Sequence, residues 1–154
     1  SGFSAGNGML VGGSSVVVKF ADCSDGTSNT IILGETSDWA FNAAGTQRHI
    51  DPSWPHGYPM GAGWNTRITN VSGGGAIERW FNLTSIRYPV GTRNYDLDGV
   101  GDNHGPNNPL LSAHPGGAQA ALTDGSVRFL SETMQLNTLK LLADRRDRQV
   151  VGDF

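Results

Sequence analysis

Ser112-Ala-His114-Pro-Gly-Gly-Ala-Gln-Ala-Ala-Leu-Thr-Asp124-Gly125-Ser-Val-Arg-Phe-Leu130 is the stretch that decides the fold. Asp-Gly is a two-residue hairpin signal, because glycine takes positive φ without steric cost. Ala118, Ala120 and Leu122 alternate before the turn, and Val127 and Phe129 after it. Alternation with period two marks strands that bury one face. The spacing predicts a β-hairpin over about 112–131.

Working outward, Asn137-Thr-Leu-Lys-Leu-Leu-Ala-Asp-Arg-Arg146 reads as a short helix, with Leu139, Leu142 and Ala143 on one face and Asn137 as its N-cap. Arg145, Arg146 and Arg148, interrupted by Asp144 and Asp147, read as a solvated helix face. Upstream, Val16–Phe20 and Thr30–Leu33 are strand candidates, the second following the Asp25-Gly26 turn. Asp38 to Asn65 carries three of the four tryptophans without a clean period and reads as a long ordered loop. Ala76–Phe81 fits either a strand or a short helix, Leu83–Pro89 is a weak strand, and Asn94–Pro109 is loop.

A second motif, Asp25-Gly26-Thr-Ser-Asn29-Thr-Ile-Ile-Leu-Gly-Glu35, stands well upstream of the first. Together with the ten-residue step from His114 to Asp124, it resembles the H-x9-DG family of bacterial prepilin-like proteins (domain-of-unknown-function family 1559). The closing Val150-Val-Gly-Asp-Phe154 has the same look. The resemblance implies the C-terminal globular part of a pilin- or pseudopilin-like subunit. Such subunits begin with a basic leader and a long apolar helix. Here Ser1 opens a Gly/Ser-rich segment, and no apolar run approaches the ~18 residues needed to cross a bilayer. The expectation is a headpiece with the N-terminal pilin helix absent, and no membrane contact by this segment.

The chain has 154 residues, enough for one domain, 1–154, with a real core. Glycine occurs 22 times, and charged residues make up 16%, against about 25% in an average soluble protein. The fold class expected is β-dominated α+β, an antiparallel sheet with long Gly/Pro/Trp-rich loops and a short C-terminal helix. A net charge of −3 argues against nucleic acid as a partner, because phosphate binding needs a basic patch. Cys23 is the single cysteine and reads as buried or inert.

Asn94-Tyr-Asp96-Leu-Asp98-Gly99-Val100-Gly-Asp102 is the candidate metal loop. Asn94, Asp96, Asp98, Gly99 and Asp102 fall at positions 1, 3, 5, 6 and 9 of a twelve-residue calcium loop, with the Val100 carbonyl at 7. Position 12 is Gly105 rather than a bidentate Glu, so another acid such as Glu78 or Asp51 must complete it. Calcium and a loop whose Asp and Asn side chains cap their own turns both remain open. His49, His56, His104 and His114 have no zinc-type spacing, and His114 is expected to fix the hairpin's entry through hydrogen bonds. Asp25, Gly26, Asn29, Glu35, Asp124 and Gly125 are expected to act through turn geometry and loop contacts. Trp39, Trp54, Tyr58 and Trp64 could form a sugar-binding platform or roof the sheet. There is no G-x-S-x-G, H-E-x-x-H, P-loop or C-x-x-C.

The reading that follows is a non-enzymatic structural subunit on the outer face of a bacterial envelope, self-assembling into a filament or secretion-related fibre. A carbohydrate- or surface-binding module is the alternative.

Overall fold

The computed structural model describes residues 2–11, 17–50, 58–62, 66–68, 84–100, 106–149, 151–152 and 154. Nine strands and one α-helix are described: β1 Gly2–Ser4, β2 Ile31–Gly34, β3 Trp39–Phe41, β4 Gln47–His49, β5 Tyr58–Ala62, β6 Thr66–Ile68, β7 Thr84–Ile86, β8 Gly117–Leu122, β9 Val127–Ser131 and α1 Leu136–Ala143. The β-dominated α+β class holds. A five-stranded sheet runs in the order β7-β5-β2-β8-β9, antiparallel except for the parallel β5–β7 pair. Two small antiparallel pairs, β1–β6 and β3–β4, accompany it.

Helix α1 packs on one face of this sheet. Leu139, Leu142 and Ala143 meet Ile31, Ile86, Ala118, Ala120, Leu122 and Leu130, all buried. The helical spacing of those three residues is the predicted one. The N-cap, however, is Gln135 without a side-chain bond, so the helix starts ahead of Asn137. A smaller cluster of Ala40, Ile50 and Leu111, flanked by Tyr95 and Val100, seats the β3–β4 hairpin on the loop that precedes β8.

The signature hairpin forms, but with a longer turn than expected. The Gly125 amide donates to the Leu122 carbonyl at 2.9 Å, the Leu122 amide to Ser126 at 2.8 Å, and Gly125 has φ +87°. Asp124 keeps negative φ, so this is a type I turn followed by a left-handed glycine, with three residues between the paired Leu122 and Ser126. A two-residue loop at Asp124-Gly125 would set Leu122 opposite Val127. Instead Ala121 pairs with Val127 and Gln119 with Phe129. A one-residue shift turns every side chain to the other face. Leu130 therefore enters the core, while Val127 and Phe129 stand outside it, 63% and 46% exposed.

Three further expectations are corrected. Residues 17–19 are not strand, and Phe20–Asp22 is a 3-10 turn, because the Asp22 carboxylate reaches back to the Lys19 amide at 2.7 Å. Val16 itself lies outside the described residues. Asp38–Asn65 is not one long loop: it holds β3, β4 and β5, each too short to show a period in sequence. Arg145 is not on a solvated helix face. It lies past the end of α1, buried, and its Nη1 donates to the carbonyls of Gly6 at 2.9 Å and Gly8 at 2.5 Å. Ala76–Phe81 lies outside the described residues.

Candidate functional site

Asp25 to Glu35 and His114 to Asp124 each span eleven residues, and β2 lies antiparallel to β8 between them. Antiparallel pairing sets the start of one motif against the end of the other. At the turn end, the Asp124 amide donates to the Thr27 carbonyl at 3.0 Å, and the Thr123 amide and hydroxyl reach the Thr30 carbonyl at 2.8 and 2.9 Å. At the far end, Glu35 faces Gln119, Ser112 and His114.

The Asp25-Gly26 turn is closed by its own side chains. Gly26 takes φ +93°, the Asn29 amide and the Thr30 hydroxyl both donate to the Gly26 carbonyl, and Asn29 Nδ2 donates to the Asp25 carbonyl at 3.2 Å. The Asp25 carboxylate turns outward from this loop and accepts the amides of Asp147 at 2.7 Å and Arg148 at 2.9 Å. Asp25 thus fastens the C-terminal segment to the first motif. Cys23 is half-buried and donates to the Thr30 hydroxyl at 3.2 Å.

Glu35 is the second fastening. Its Oε1 accepts the hydroxyls of Ser37 at 2.6 Å and Ser112 at 2.7 Å, and its Oε2 accepts the Gln119 amide at 2.9 Å. Burial pushes the carboxyl up, but the Gln119, Ser37 and Ser112 bonds outweigh it, and the His114 charge adds to them. The net result lies below the usual range. His114 is exposed, and its amide donates to Ser112 Oγ at 3.1 Å. This bond is made by the His114 backbone, and its side chain acts on Glu35 through charge. Ser112 and Gln119 were not singled out from sequence. Their contribution comes from backbone register, which a single sequence does not display.

Beside Glu35 lies a third acid, Asp38. Its bond from Arg93 holds it below the usual carboxylate range against the opposing effect of burial, and Arg93 Nη2 also donates to the Ser112 carbonyl at 2.9 Å. At the hairpin tip, Asp124 accepts the Ser126 hydroxyl and amide, which lower its pKa. A carboxylate already surrounded by donors and held ionised is a poor general acid.

In the expected calcium loop, Asn94 Oδ1 accepts the Asp96 amide at 3.0 Å and Asp96 Oδ2 accepts the Ala43 amide at 2.5 Å. The Asp98 carboxylate lies 3.6 Å from Arg87, and its carbonyl accepts the Tyr88 hydroxyl at 2.7 Å. Val100 donates its amide to Leu97 and packs on the Leu111 cluster. Asp102, His104, Asp51 and Glu78 lie outside the described residues. Among the described residues, no group of three or more His, Cys, Asp or Glu converges as a metal site.

Of the aromatic platform, Trp54 and Trp64 lie outside the described residues, and Tyr58 is placed only as the first residue of β5; His56 also lies outside them. Trp39 is 39% and Phe41 43% exposed, on the same side of β3. His49 meets the Trp39 ring edge-on, with centroids 4.2 Å apart.

A family model described as a protein of unknown function (DUF1559) matches residues 1–137. The chain belongs to the DUF1559 family. The match takes in both motifs and the segment before them, and it leaves the closing residues 150–154 outside. No curated protein and no solved structure matches. Among the described residues of this DUF1559 chain, no helix is long and apolar enough to cross a membrane.

Proposed function

We propose that this DUF1559 chain is a structural domain, the extracellular head of a pilin- or pseudopilin-like subunit, acting by assembly with copies of itself. The observation that carries the reading is what the motif acids do. Asp25, Glu35 and Asp124 are each engaged with backbone amides and hydroxyls, and the first two tie together segments far apart in sequence. Residues spent in this way build a rigid body for others to pack against. The sequence resemblance to prepilin-like proteins supports the same reading. The test is electron microscopy of the purified chain at high concentration. Ordered fibres or defined oligomers are expected, and dispersed single particles under all conditions would contradict the proposal.

Calcium at 94–102 belongs to this proposal as an expectation of donor spacing alone. If an ion orders the loop, chelator lowers the melting temperature and Asp98→Ala removes that response. A melting curve indifferent to calcium would retire the ion.

The half-exposed Trp39–Phe41 face favours the second reading, a carbohydrate-binding module. Glycan addition should then shift tryptophan fluorescence, and Trp39→Ala should abolish the shift. Fluorescence that stays constant across a glycan panel would set this reading aside.

A further inference from the structure

β9 is the last strand of the five-stranded sheet, and its outer side has no strand beside it among the described residues. The Leu122 amide donates to the Ser126 carbonyl and the Glu132 amide to the Gly116 carbonyl, which fixes the phase of the ladder. Backbone groups of 126, 128, 130 and 132 face β8, so those of Val127, Phe129 and Ser131 face outward. Edge strands are usually blunted by charged side chains, proline or a bulge. This one has neither proline nor bulge, its one charge is Arg128 on the helix side, and it exposes Val127 and Phe129. A groove of about 400 Å³ runs along it, lined by Phe129, Ser131, Met134, Gln135 and Phe154.

Charge decides what fits. In an antiparallel pairing of β9 with a second β9, a two-fold axis at residue 128 sets Arg128 against Arg128, which repels. An axis at residue 129 leaves Arg128 opposite Leu130 with no charge partner. An axis at residue 130 sets Arg128 opposite Glu132 twice, in the non-hydrogen-bonded positions where side chains approach most closely. It also pairs Phe129 with Ser131 through their outward backbone groups and makes the two Phe129 rings diagonal neighbours. Arg128 and Glu132 are both exposed. Arg128 lies over the Phe154 ring at 5.8 Å, at the rim of the groove.

We infer that the outer edge of β9 is a self-pairing surface whose partner is the β9 of a second copy, in the register that joins Arg128 to Glu132. This rests on the assembly reading above and names the surface that serves it.

The test is sedimentation equilibrium of the 154-residue chain and of two charge reversals, with circular dichroism to confirm folding. Arg128→Glu and Glu132→Arg should each weaken self-association at least tenfold, because each sets like charges opposite. Their equimolar mixture should recover it, because every facing pair is then opposite in charge. Val127→Lys, a solvent-side change on the outer edge, should block association with the fold intact. Association indifferent to all three variants would overturn the β9 surface while leaving assembly by another face standing. Loss in the single reversals without recovery in the mixture would overturn the register. A wild-type chain that stays monomeric, or that pairs only with an unlike extended peptide, would overturn the inference; the monomer would overturn the assembly reading as well.

Discussion

At Glu35 burial and hydrogen bonding oppose each other, and bonding wins. Its folded pKa lies below the ordinary 4.5 of the free side chain, so the ionised form is favoured by folding. The stability it contributes is fully present above the unfolded value and is lost as pH falls through the lower folded value. Glu35→Gln keeps the shape but turns an amide group toward donors. It should cost about 1–3 kcal/mol in urea unfolding at pH 7, with a smaller difference from wild type in acid. Asp147 behaves in the opposite sense. Burial first, then the nearby Asp25 and Asp144 carboxylates, raise it above 3.8, against the Gln149 amide bond. Its ionised form is disfavoured by folding, so neutralising it helps above the raised value. Asp147→Asn keeps an oxygen for the Gln149 amide and should raise the melting temperature at pH 7, with the gain vanishing below the unfolded value. Neither effect was legible in sequence, because Ser112 and Gln119 reach Glu35, and Asp25 reaches Asp147, only through the fold.

Among elements, the β8–β9 hairpin holds both the success and the main error of sequence reading. The alternation of Ala118, Ala120 and Leu122 located the buried face correctly. The Asp-Gly pair located the turn but not its length, and one extra residue exchanged the faces of β9. Strand periodicity cannot detect that shift, since Val127-Arg-Phe-Leu130 offers an apolar residue to either side. The short β3 and β4 were missed because three residues hold no period. The packing between β8 and β9 has its own sharp requirement at Gly117. A Cβ there would stand 2.1 Å from the Leu130 carbonyl oxygen and 2.7 Å from the Phe129 ring. Backbone cannot yield as a flexible side chain can, so Gly117→Ala should destabilise by about 1–3 kcal/mol or more in denaturant unfolding. A neutral result would mean that the Phe129 ring does not lie over β8.

Across the whole molecule, charged groups hold the terminal segments to the core alongside the apolar contacts of Val151 and Phe154. Arg145 gathers the Gly6 and Gly8 carbonyls, its amide donates to Asn7, and Asp25 holds the amides of 147 and 148. Sequence placed Arg145 in solvent because Asp-Arg-Arg-Asp reads as a surface run. What it could not display is that the helix ends at Ala143 and turns the next residues inward. Arg145→Met preserves volume but removes both carbonyl bonds. It should cost about 2–3 kcal/mol and speed hydrogen exchange at the Arg145 amide, while the β8–β9 amides stay protected. The family and the fold class were legible because two motifs and one hairpin carry them. The clamps between segments were not, because their partners lie far apart in the chain.

On the proposed reading, this clamped body works by joining copies of itself. Sedimentation velocity of the purified chain across a wide concentration range tests it most directly. The weight-average sedimentation coefficient should climb with concentration above the monomer value. A coefficient that stays at the monomer value throughout would contradict it.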